Sequence, residues 1–157
     1  MERKTTPRAA REFMNPRVEA LEPTAPITAA IHTLMRRGYA GAPVVDDEQR
    51  IVGVLSEQDC IRALADSIFE GWPSGTVADH MTCEVETVTP EEDVFAVASR
   101  FSQGGHRRVF VVEGEHLVGV IARRDLLRAL EAIRAESAQH ARSDTYKLIQ
   151  IRRQKFD

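Results

Sequence analysis

The sequence predicts an α/β fold made of one β-α-β-β-α unit written twice, with the two copies packed about a pseudo-two-fold axis. Three observations carry that reading. First, the stretch "GVLSEQDCIRAL" at Gly53–Leu64 returns as "GVIARRDLLRAL" at Gly119–Leu130. Second, the register holds far beyond it. Met14 and Met81, Pro23 and Pro90, and Val44 and Val111 each stand 67 residues apart, and the offset drops to 66 at Gly53/Gly119 and Asp59/Asp125. The one missing residue falls in a polar turn, "EGEHLVG" against "DDEQRIVG", where deletions are tolerated. Third, a single half of this size buries little of its surface, and two halves packed sheet to sheet solve that problem together.

Each copy opens on a short strand of alternating apolar residues, "RVEAL" (Arg17–Leu21) or "EVETV" (Glu84–Val88). Thr24 and Thr89, each beside a proline, then predict a helix start. Thr89 suits an N-cap, with Pro90 at the first helical position and Glu91 and Glu92 at the positive end of the helix dipole. Ile27, Ala30, Ile31 and Leu34 follow at helical spacing, as do Val94, Val97, Ala98 and Phe101. Gly38 and Gly104–Gly105 end these helices. "APVVD" with "RIVGVL", and "RVFVV" with "LVGVI", read as hairpins across the polar turns "DEQ" and "EGE". A second helix begins just after Ser56 or Ala122 and carries Ile61 and Leu64, or Leu126, Leu127 and Leu130.

The connecting segment "DSIFEGWPSGTVADH" is broken at Pro73, Ser74 and Gly75, and Phe69 and Trp72 are expected to pack it down. The chain divides into a mobile N-terminus (1–11), copy one (12–66), a connector (67–78), copy two (79–133) and a helix extension with a basic tail (134–157). The extension keeps Leu130, Ile133 and Ala138 on one side. From Arg142 to Asp157, five basic residues stand against two acidic ones. That charge suits an anionic partner, and the composition equally suits a loosely ordered or self-docking tail.

Composition narrows the function. Hydrophobic residues make up 43 %, which excludes a disordered chain. The net charge of −3 and the lack of an aromatic-basic strip disfavour nucleic acid. Cys60 and Cys83 make neither a disulfide framework nor a zinc set, and they fit a reducing cytosol. "MERKTTPRAAREF" has no apolar signal core and no run approaches membrane-spanning length, so a soluble, cytoplasmic protein is expected. No catalytic set emerges. Cys60 stands at an apolar helix position, and His32 and His80 have no partner at metal spacing. Neither an enzyme nor a metal site is expected.

The runs "HMTCEVETVTP", "APVVDDEQRIVGVLSEQD" and "HRRVFVVEGEHLVGVIARRD" give each half a resemblance to a CBS domain. The pair resembles the tandem unit called a Bateman module, over roughly residues 12–133. The resemblance implies a regulatory, non-enzymatic module that binds an adenine nucleotide (AMP, ADP or ATP) or S-adenosylmethionine between the halves and requires no other cofactor. It also implies a homodimer joined through helices, which acts on a protein target in trans. The alternative is an interaction module with empty clefts that mediates oligomerisation only.

The family typically writes a glycine, two apolar residues, Ser or Thr, two variable residues and Asp. Free N–H groups at the helix start face an anion. The hydroxyl can donate to a phosphate and the Asp can accept from a ribose. Ser56 and Asp59 complete that pair in the first copy. The second keeps Asp125 but has Ala122 in place of the hydroxyl, with Arg123 and Arg124 as replacement charge. From local chemistry alone, Ser56 is a helix N-cap and Asp59 a favourable first-turn charge. In "GHRRV", His106 and Arg107 resemble the family's phosphate clamp; a solvated basic turn is the plainer reading. The pseudo-two-fold is expected to set His106 and Arg107 against Ser56 and Asp59, and Tyr39 and Ala40 against Asp125. Strand alternation points Arg108 outward.

Overall fold

The computed structural model describes residues 6–154, with side chains to residue 150. In order, the elements are α1 (Ala10–Phe13), α2 (Ile27–Arg37), β1 (Gly41–Val45), β2 (Ile51–Ser56), α3 (Glu57–Ser67), α4 (Val77–His80), β3 (Thr87–Val88), α5 (Val94–Gly104), β4 (Arg108–Glu113), β5 (His116–Ala122) and α6 (Arg123–Gln154). Both hairpins form: β1 pairs antiparallel with β2, and β4 with β5. Each carries an irregularity at the same place in its copy, Val44/Val45 and Val111/Val112. Gly38 and Gly105 adopt left-handed conformations at φ 65° and 61° and stop α2 and α5 as expected.

The opening strands are shorter than expected. In the second copy β3 is two residues long, parallel to β4. In the first, Leu21 makes a single parallel bridge to Val44. The residues just before each expected strand pair across the copies instead. Asn15 bonds Val120 in both directions (2.8 and 2.9 Å), and Thr82 bonds Val54 likewise (2.9 Å each way). Each copy's leading segment therefore edges the other copy's hairpin.

The helix starts differ from expectation as well. Thr89 and Pro90 form a turn rather than a cap, because the carbonyls of Pro90 and Glu92 accept from Arg11 (2.8 Å) and Ala10 (2.9 Å) of α1. The cap moves to Asp93, whose side chain accepts from the Phe95 N–H at 2.8 Å. In the first copy Pro23 and Ala25 accept from Ala78 and Val77 of α4 in the same way, and Thr24 is likewise no cap.

Two cores result, and each borrows a short helix from the other copy's sequence. One joins α2, β1, β2 and α3 with Val77; the other joins α5, β4, β5 and α6 with Ala10. The repeated glycines permit the close approach. A Cβ on Gly53 would lie 2.6 Å from Met81 Sδ, and one on Gly119 would lie 2.5 Å from Met14 Sδ. The hairpin turns also pair across the pseudo-axis, Ile51 N–H to Glu115 O and Leu117 N–H to Gln49 O at 3.1 Å each.

Three further expectations are corrected. Of the stretch expected to be mobile, Arg8–Arg11 is tied to the second copy: Ala10 is fully buried and the Arg8 carbonyl accepts from Val94 N–H at 2.8 Å. Residues 1–5 lie outside the described residues. Phe69 and Trp72 do not pack the connector down; they are 95 % and 85 % exposed, and Val77 is the buried anchor. From Ser143 to Gln154 the chain is helical, since α6 runs unbroken to Gln154. Its last three turns contain no Gly or Pro and hold good helix formers such as Lys147, Leu148 and Gln150. Ile61, Leu64 and Leu127 are also exposed, while Asp59, Cys60 and Ala63 take the buried face of α3.

Candidate functional site

Where β2 gives way to α3, Ser56 has extended backbone and caps the helix: its Oγ accepts from the Asp59 N–H at 3.1 Å. Asp59 answers, its Oδ2 accepting from the Ser56 N–H and from the Ser56 hydroxyl, both at 2.9 Å. This reciprocal cap fixes the strand-to-helix corner. Asp59 is 4 % exposed and also receives Thr82 Oγ1 (3.3 and 3.4 Å) and Arg62 Nη1 (3.5 Å). Asp59→Ala should therefore destabilise the fold by about 0.5–2 kcal/mol, the usual cost of a lost cap. Thermal denaturation should show a clear fall for this variant and a smaller one for Asp125→Ala, since among the described residues Asp125 accepts only from the Ala122 N–H (2.9 Å).

Two clefts open between the copies. The larger, about 570 Å³, is lined by Ala40, Gly41, Val54, Ser56, Glu57 and Gln58 from the first copy. Gly105, His106, Arg107, Arg108 and Phe110 face them from the second. The structure thus brings Ser56, His106 and Arg107 together as expected. Asp59 stands behind Ser56, off the wall, and Ala40 joins this cleft rather than the one with Asp125. The volume falls within the range of about 300–1,000 Å³ usual for small-molecule sites.

The smaller cleft, about 130 Å³, holds Tyr39, Ala122 and Asp125 with Asn15, Arg17, Val18 and Glu19. Neither Arg123 nor Arg124 lines either cleft. Arg123 instead donates to the carbonyls of His106 (3.1 Å) and Gly105 (3.4 Å), buttressing the loop that carries the cations. Arg124 is exposed.

Arg108 was expected outward and is not. Alternation does set it opposite the buried Val109, but that opposite face of β4 looks into the clefts rather than into solvent. Its guanidinium lies 5.3 Å from the Tyr39 ring centroid and donates to the Gly41 carbonyl at 3.4 Å. Among the described residues, no ion pair involves His106, Arg107 or Arg108. Three cationic or protonatable groups thus line one cleft without a carboxylate partner. Burial pushes the Cys60 thiol up, away from the thiolate a nucleophile needs. Among the described residues, no His, Cys, Asp or Glu cluster suits a metal ion, and no helix is long and apolar enough to cross a membrane.

Known proteins share this architecture. The model of the CBS domain family matches residues 10–66 and 77–132. An uncharacterised protein of Methanocaldococcus jannaschii is 37 % identical over 120 residues, which span 76 % of this chain and 42 % of that protein. The 5′-AMP-activated protein kinase subunit gamma-3 of Homo sapiens is 32 % identical over 113 residues, or 68 % of this chain and 23 % of the subunit. The chain therefore spans less than half the length of these relatives. Among solved structures, CBSX2 in complex with AMP superposes with a TM-score of 0.70 at 26 % identity, covering 80 % of this chain and 98 % of that one. The family model matches once in each copy of the repeat, and the chain belongs to the CBS domain family.

Proposed function

We propose that this chain is a non-enzymatic regulatory module that binds an adenine nucleotide, AMP foremost, in the larger cleft. The observation that carries the reading is the set of His106, Arg107 and Arg108, unpaired and facing the start of α3 across about 570 Å³. A phosphate there receives charge-assisted bonds from the arginines and the favourable end of the helix dipole. AMP is preferred because CBSX2 was crystallised with it and the kinase subunit's name carries it. Ser56 would turn its hydroxyl from Asp59 to the phosphate. Asp59 stays behind Ser56 as the partner that fixes the start of α3, and Asp125 offers a carboxylate acceptor in the smaller cleft.

The module is also proposed to be a cytoplasmic homodimer that acts on a protein target. Two equivalent faces leave apolar groups uncovered: Met35, Ile61 and Leu64 on α2 and α3, and Phe95 and Leu127 on α5 and α6. A second copy would cover them. A ligand with different affinities for two packings of the halves would then shift the dimer face. The small second cleft favours one alternative, an interaction module whose clefts stay empty.

A thermal-shift panel of AMP, ADP, ATP and S-adenosylmethionine separates the two. Stabilisation rises as RT ln(1 + [L]/Kd), so millimolar AMP should raise the melting temperature by several degrees if binding is micromolar. No shift from any member at millimolar concentration would favour the empty module. Sedimentation equilibrium should return twice the 17.6 kDa chain mass, and a monomer would remove the dimer.

A further inference from the structure

The two clefts share one wall, and its residues make them unequal. Arg108, Gly41 and Phe110 line both. The repeat sets Arg108 in the second copy where the first has Gly41, 67 residues earlier. An arginine therefore stands at one of two positions that the pseudo-symmetry makes equivalent. Its guanidinium lies over the Tyr39 ring at 5.3 Å and is tied to the Gly41 carbonyl at 3.4 Å. Tyr39 in turn reaches Glu19 through its hydroxyl at 3.5 Å, and Glu19 is held by Arg37 at 3.2 Å. All of these except Arg37 line the cleft of about 130 Å³ that contains Asp125.

We propose that the stacked Arg108 and Tyr39 side chains plug the Asp125 cleft, so that the chain takes a single nucleotide, in the larger cleft. This rests on the nucleotide reading above and deepens it by naming what sets the number of sites. The cleft keeps a carboxylate with one oxygen outside the cap, as the bond from Ala122 N–H goes to Oδ2 alone. What it lacks is room, and the plug occupies that room. The cation–π contact with Tyr39 and a carbonyl bond hold the guanidinium without consuming its charge, so its outer N–H groups stay available to a phosphate in the larger cleft.

Calorimetric titration of AMP into the wild-type chain, Tyr39→Ala, Arg108→Ala and the double variant Tyr39→Ala/Asp125→Ala tests this. The wild-type chain should titrate with one site and Tyr39→Ala with two, the second returning to one when Asp125 is also lost. Arg108→Ala should also gain a site, while the first weakens about tenfold from loss of a cation. Far-UV circular dichroism and melting confirm that each variant is folded, and having two independent ways to remove the plug covers the failure of either. Two equal sites in the wild-type chain, or one site in both Tyr39→Ala and Arg108→Ala, would overturn the plug while leaving the nucleotide reading intact. No wild-type binding would defeat the nucleotide reading instead, and a site gained in Tyr39→Ala would still support the plug.

Discussion

Arg107→Glu is expected to weaken nucleotide binding at least about 100-fold while leaving the fold intact. Arg107 is exposed at the entrance of β4, lines the larger cleft and has no ion-pair partner among the described residues. A bond from arginine to phosphate contributes about 1.5–3 kcal/mol, and reversal adds repulsion to its loss. The affinity for AMP should fall at least about 100-fold by calorimetry. The melting temperature without ligand should barely move, because surface substitutions outside networks usually stay within about 0.5 kcal/mol. Arg107→Lys should fall between, since it keeps the charge and loses the planar fork. Unchanged affinity in Arg107→Glu would remove this residue from the site.

Leu55→Ala should have the largest effect on stability. Leu55 is fully buried in β2, opposite Ala42, within the first core. Removing its side chain leaves a cavity between the hairpin and the helices, at a cost of about 2–5 kcal/mol. Against a total of about 5–15 kcal/mol that is a large fraction, and at roughly 2–4 °C per kcal/mol the melting temperature should drop by some 5–20 °C. Ile121, its counterpart 66 residues later, is also fully buried, so Ile121→Ala should cost about as much. A loss under about 1 kcal/mol in either would mean that the hairpin does not carry the core.

The sequence made the doubled unit legible because its signals are local. Apolar periodicity located α2 and α5, left-handed glycines ended them, and "DEQ" and "EGE" turned the hairpins. What it did not reveal was how the copies interlock. Asn15 with Val120 and Thr82 with Val54 are long-range pairings that leave no local pattern, and neither do the bonds from Ala10 and Arg11 of α1 that accompany the move of the cap from Thr89 to Asp93. The site divides the same way. Ser56, His106 and Arg107 were found together because both motifs stand at fixed places in the repeat. For Arg108, alternation says only that it opposes Val109, not what lies on that side. The signal that could have found it was the comparison of copies, which pairs an arginine with Gly41 at a position facing the pseudo-axis.

A nucleotide phosphate is expected between the start of α3 and the His106–Arg107 segment. The most direct test is a crystal structure of the chain grown with AMP. One AMP per chain is expected there, its phosphate within hydrogen-bond distance of Arg107 and of the α3 N-terminus beside Ser56, and its adenosine in the larger cleft. AMP bound elsewhere, or a larger cleft empty at saturating nucleotide, would contradict it.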